Sequence, residues 1–183
     1  MEYLWRITVL ILMMLILSPI RAFALEMQPY AGAGVGFFNY GKVNNAAFGL
    51  YVSGGADFPE TEYFGAEIRL GTAFEADKLG GSAGAVTLES YDIDYFLAAL
   101  GKAKYAVLPE VHVYGLLGLT VAGWSHELRR GGVLQIGDSG TDADISLGVG
   151  ADYRLRNEWL VGIEWLRYNS DLFGLVGTIR YEY

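Results

Sequence analysis

The chain has 183 residues and no cysteine, which allows one domain with a real interior and excludes a disulfide scaffold or thiolate chemistry. It carries 21 acidic against 13 basic groups, a balance that disfavours a nucleic-acid partner, because phosphate contacts need a basic surface.

At the start, "MEYLWR" places one Arg before the unbroken apolar run "ITVLILMMLIL". Ser18 and Pro19 end the run, and Ala22-Phe23-Ala24 supplies a small-x-small cleavage site. This pattern predicts a secretory signal peptide over residues 1–24, cut after Ala24, with residues 25–183 as one domain. A membrane anchor would need a run of about 20 residues, well beyond this one. Cleavage leaves 11 basic and 20 acidic groups. No later segment is long and apolar enough for a transmembrane helix, so any further insertion must be as a β-barrel.

Eight strands are predicted at 28–38, 45–57, 62–74, 88–107, 111–124, 142–154, 158–168 and 172–183. The sixth, within "DISLGVGADYRLR", is the clearest. Ile145, Leu147, Val149, Ala151, Tyr153 and Leu155 share one parity, and Asp144, Ser146, Asp152 and Arg154 share the other. The connections alternate between tight ("FPET", "LPE", "RN") and longer ("NYGKVNN", "EADKLGGSAGAVT", "SHELRRGGVLQIGDSGT"). That is the habit of outer-membrane barrels, with short periplasmic turns and long extracellular loops; the final "NSD" fits it least well. "GAGVG" near the start is no dinucleotide loop, because no helical pattern follows it.

Parity poses the central question of which face looks inward. In a soluble barrel the glycines of the polar face would line the wet exterior, where they only weaken strands. The interior would also have to hold Trp159, Trp165, Tyr91, Tyr95 and Tyr153, too much for an eight-stranded barrel. With the oily face outward these bulky groups meet lipid, and small residues line a narrow lumen. Tyr91, Tyr105, Tyr153, Trp159, Trp165, Tyr181 and Tyr183 then fall near strand ends, as aromatic girdles require. Glu67, Arg69, Asp92, Asp94, Lys102, Lys104, Asp152, Arg154, Glu164, Arg180 and Glu182 fall on the inward parity and are expected to form a paired lumen network.

The stretches "YAGAGVGFF", "VYGLLGLTVAGW", "ISLGVGADYRL" and "WLVGIEWLRY", behind a signal peptide, resemble the OmpA/OmpX/opacity type of outer-membrane β-barrel domain. The resemblance covers nearly all of residues 25–183. It implies an all-β, eight-stranded antiparallel up-and-down transmembrane barrel. It also implies insertion by the barrel-assembly machinery, which reads a terminal strand ending in an aromatic; here Tyr181 and Tyr183 stand in "GTIRYEY".

Catalytic signals are weak. Ser125, His126 and Glu127 are adjacent, but in an extended strand His126 points away from both neighbours. A lipid A hydrolase built on a strand would want His-x-Ser on one face, and the sequence lacks it. His112 and His126 are the two histidines, without metal-ligand spacing. Asp138, Asp142 and Asp144 lack the ligand pattern of a calcium loop. No cofactor or metal is expected. Arg129 and Arg130, in the longest predicted loop, are candidates for lipopolysaccharide phosphates. The expectation is a monomeric outer-membrane scaffold in contact with membrane lipids and lipopolysaccharide. It presents loops outside the cell to a ligand the sequence leaves open, and it has no open pore. The rivals are a lipid A-modifying hydrolase and a secreted soluble lipid-binding barrel.

Overall fold

The computed structural model describes residues 27–40, 43–58, 63–82, 85–130, 133–156 and 158–183, with backbone alone at 40, 43–46, 75–82, 85–91, 128–130 and 133–136. The predicted signal peptide, residues 1–24, lies outside the described residues. All described regular structure is strand: β1 (Gln28–Tyr40), β2 (Val43–Phe58), β3 (Phe64–Ser82), β4 (Ala85–Leu108), β5 (Val111–Arg130), β6 (Val133–Arg154), β7 (Trp159–Arg167) and β8 (Leu172–Glu182).

Each strand pairs antiparallel with its sequence neighbours, and β8 returns to pair with β1 from Tyr30↔Glu182 to Tyr40↔Leu172. Closure is what a strand in lipid demands, because hydrocarbon offers no partner to an unpaired N–H or C=O. Turns after β2, β4 and β6 lie at the end that holds the start of β1 and the end of β8; the other end carries the remaining hairpins.

Two expectations about connections are corrected. Residues 75–82, 85–87, 125–130 and 133–141, within segments read as long loops, continue as strands: β3 pairs with β4 out to Ser82↔Ala85, and β5 with β6 out to Arg130↔Val133. These extensions mix charged, glycine and apolar residues without period two, so no oily-polar alternation marks them. The wall is therefore uneven. β6 has 22 residues and β7 only 9, and β7 meets β6 no higher than Arg167↔Leu147.

Orientation of the faces is unambiguous. Val149, Ile163 and Leu175 point outward, with 60 %, 57 % and 51 % of their surface exposed, as do Ile68, Leu117, Leu119 and Ile145. The inward parity is buried, including Arg69 at 0 %. This arrangement has lipid as its outer solvent and removes the soluble lipid-binding barrel from contention.

Candidate functional site

The inward-facing positions divide the lumen into two layers. Nearer the taller hairpins sits an apolar plug of Phe38, Phe96, Leu166, Tyr168, Leu172 and Val176. Its rings pack closely: Phe96 and Tyr168 have centroids 4.6 Å apart, and Phe38 and Phe96 5.6 Å. Beside it Ser146 Oγ donates to the Tyr168 carbonyl at 2.8 Å and lies 2.6 Å from Thr120 Oγ1.

Below the plug lies a belt of charges. Arg69 Nη2 donates to Glu164 Oε2 at 2.7 Å, Nη1 bonds the other oxygen of Glu164, and Nε bonds Glu67. Tyr30 donates to Glu67 at 2.7 Å. Arg180 bonds Asp152, donates to the Tyr114 hydroxyl at 2.9 Å and lies 3.7 Å from Glu67. Tyr114 in turn donates to Glu164 at 3.2 Å. Towards the chain-terminal end, Asp57 takes Lys104 at 2.7 Å and Lys102 at 3.3 Å. The four carboxylates Asp57, Glu67, Asp152 and Glu164 thus face the four cations Arg69, Lys102, Lys104 and Arg180. Such a neutral, interlocked set lets ionic groups stay buried at tolerable desolvation cost. Aromatic faces complete the cage, with the Arg69 guanidinium 4.6 Å from the Tyr51 ring centroid and Lys102 4.4 Å from that of Tyr30.

Of the residues nominated from sequence, Glu67, Arg69, Lys102, Lys104, Asp152, Glu164 and Arg180 come together in this belt. Arg154 and Glu182 form a separate pair at 2.7 Å nearer the barrel mouth. Asp94 does not join the belt. A bulge separates Ile93 from Tyr95 in the β4–β5 register, so Ile93 turns into the lumen while Asp94 and Tyr95 are both exposed. Asp92 lies beyond the bulge, level with Ser125. Belt partners missed include Asp57, Tyr30, Tyr51 and Tyr114. The inward parity of β1, β2 and β5 carries them; a tyrosine in a glycine-rich strand gives no charge signal, and Asp57 is the last residue of its predicted strand.

The lumen glycines have a packing reason. Gly34, Gly55, Gly71 and Gly150 stand opposite Tyr51, Tyr30, Phe96 and Tyr114 in register. A Cβ at any of them would strike the facing ring. Each glycine is a slot for the aromatic that crosses the lumen. Gly150→Leu is therefore expected to cost about 1–3 kcal/mol through overpacking. In a background of Tyr114→Ala the cost should shrink, which a double-mutant cycle of unfolding in lipid vesicles would read; full additivity would refute the slot.

The proposed nucleophile constellation has no support in geometry. β5 is paired on both sides through Ser125, His126 and Glu127, so the three alternate across the sheet. Ser125 Oγ donates to Asp94 Oδ1 at 3.1 Å. Arg129 and Arg130 lie in β5, but their side chains are outside the described residues. Tyr181 stacks edge-on between Trp159 and Tyr183, at 5.0 and 5.1 Å, on the outer wall near the closing seam.

A closed, antiparallel, eight-stranded sheet with an apolar outer wall and a filled ionic lumen is a transmembrane β-barrel of the outer-membrane class. The chain belongs to the outer membrane protein beta-barrel domain family, whose sequence profile matches residues 8–178. No curated protein matches the sequence significantly. The fold is similar to that of a major outer membrane protein from Thermus thermophilus, with a TM-score of 0.62 and 14% identity over 86% of this chain and 100% of that one. It is also similar to the N-terminal β-barrel domain of Pseudomonas aeruginosa OprF, with a TM-score of 0.57 and 9% identity over 86% and 100%. Neisserial surface protein A gives a TM-score of 0.55 and 13% identity over 86% and 97%.

Proposed function

We propose that this protein is a non-catalytic outer-membrane scaffold that holds a projecting β-sheet outside the cell and conducts nothing through its centre. The observation that carries this reading is the filled lumen, in which Arg69, Phe38, Phe96 and Tyr168 are all fully buried. A barrel of eight strands has interior space only for its own side chains, and here both layers occupy it. The extended β3–β4 and β5–β6 hairpins supply the presented surface.

In this reading residues 1–24 direct export and are cleaved after Ala24. The barrel-assembly machinery then inserts residues 25–183 as a monomer, reading the terminal strand with Tyr181 and Tyr183. Arg129 and Arg130, near the tip of the β5–β6 hairpin, meet lipopolysaccharide phosphates.

The test joins two readouts on one preparation. Purified folded protein in planar lipid bilayers is expected to give no steady conductance, and trypsin added to intact cells is expected to cut at Arg129 or Arg130 while sparing the strands in lipid. Persistent channels would refute the closed lumen. Complete protection on cells, with cleavage after outer-membrane permeabilisation, would reverse the orientation.

A further inference from the structure

The lipid-facing wall is not smooth. Across β4 to β7 its outward positions include Ala103, Gly115 and Ala151, and the wall is hollowed there into a furrow of about 620 Å³ flanked by Tyr105, Ile163 and Trp165. Nothing lies within 4 Å of the point where a Gly115 Cβ would stand, so the hollow is open to whatever surrounds the barrel. Along β7 the outward residues run Ile163, Trp165 and then Arg167, which pairs with Leu147 on one side and Phe173 on the other.

Arg167 is the feature that gives the furrow a direction. It is exposed, on the lipid-facing parity, one outward position past Trp165 on the side of the tall hairpins. Its Nε donates to the Asn169 carbonyl at 3.0 Å, which uses one of the five donors of a guanidinium and fixes the group at the rim. Ile163 and Arg167 stand four positions apart, about 13 Å of strand. An apolar trough with a cation fixed one outward position past its β7 edge complements an amphiphile with an acyl chain in the bilayer and a phosphate at the boundary.

We propose that the furrow is a lipid site, holding one acyl chain of lipid A while Arg167 binds its phosphate. The choice of lipid A rests on the orientation given above, which puts the Arg167 end in the outer leaflet. Arg is suited to the role because its planar fork matches two phosphate oxygens at once.

The experiment uses the mature chain in phosphatidylcholine nanodiscs doped with lipid A, followed by purification in detergent and measurement of lipid A retained per protein. It does not depend on which end faces out, so its failure and a failure of the proposed orientation are separable. The native chain is expected to retain phosphorylated lipid A about tenfold better than dephosphorylated lipid A, the size of one charge-assisted pair. Arg167→Gln should abolish that preference. Gly115→Leu and Ala103→Leu should lower retention of both forms by filling the furrow, while the folded band on unheated gels is unchanged. Equal retention by the native chain and all three variants would overturn the site. So would a native dimer that Gly115→Leu converts to monomer, since a second copy would then occupy the furrow. Should either leucine variant fail to fold, the other and Arg167→Gln still decide.

Discussion

Arg69→Ala is expected to destabilise the folded barrel by about 3–5 kcal/mol, the range for breaking a buried ion pair by removing one partner. Arg69 is fully buried and joins Glu67 on its own strand to Glu164 across the lumen. Its loss leaves two carboxylates sealed in the barrel with fewer counter-charges, and the plug above closes one route for water to reach them. Removing one acid with the base, as Arg69→Met and Glu164→Gln together, leaves three carboxylates facing three cations and should recover most of the loss, because the penalty lies in the orphaned charge. Arg154→Ala is the control. Its pair with Glu182 is partly exposed at the mouth and should contribute no more than about 1 kcal/mol. Denaturant unfolding in vesicles, followed by tryptophan fluorescence and by mobility on unheated gels, would measure all three. Equal effects at Arg69 and Arg154 would refute the view that the lumen belt is dry and interlocked.

The second large effect is on the outer wall. Val149→Arg should cost about 2–4 kcal/mol, because it puts a guanidinium near the middle of the apolar band. The outward series of β6 runs from Ile145 to Tyr153, and Val149 is at its centre. Ile145→Arg, at the boundary with the exposed Ala143 and the half-buried Asp144, should cost about 0–1 kcal/mol, since the side chain reaches the headgroup region. The gradient between the two positions is the test. A wall facing water would show no such dependence on depth, and equal costs would count against the bilayer assignment.

How much of this was visible in the amino-acid order depends on where lipid is. Within the band, period-two alternation marks every strand, and the outward set of β6 from Ile145 to Tyr153 reads directly from its residues. Past the band the signal vanishes, although the strands continue. "EADKLGGSAGAVT" looks like a loop by composition, yet ladder hydrogen bonds to its neighbour hold it in the sheet as far as Ser82↔Ala85. The bulge after Ile93 was hidden for a different reason. It inserts one residue without changing the kind of residue present, so Asp94 kept an inward parity on paper while the backbone turned it out. The lumen belt was legible through its charges and incomplete through its tyrosines. Tyr30 and Tyr51 present a hydroxyl and a ring face to the ionic groups, and neither property distinguishes a lumen tyrosine from a girdle tyrosine until opposing glycines are matched in register.

The unequal height of the wall has a consequence for encounters at the end of the barrel that carries the tall hairpins. Residues 133–146 of β6 continue past the top of β7, about 45 Å along the strand at the usual rise. β3, β4 and β5 rise with them, while β7 and β8 stop low. The mouth at the tall-hairpin end is thus screened on one flank and unobstructed on the other. A large visitor arriving from the screened side meets the back of the sheet first; one arriving over β7 and β8 reaches the inner lining, including Trp124, which donates to Asp142 at 2.9 Å. Rotation of the barrel about the membrane normal therefore selects which surface a neighbour sees.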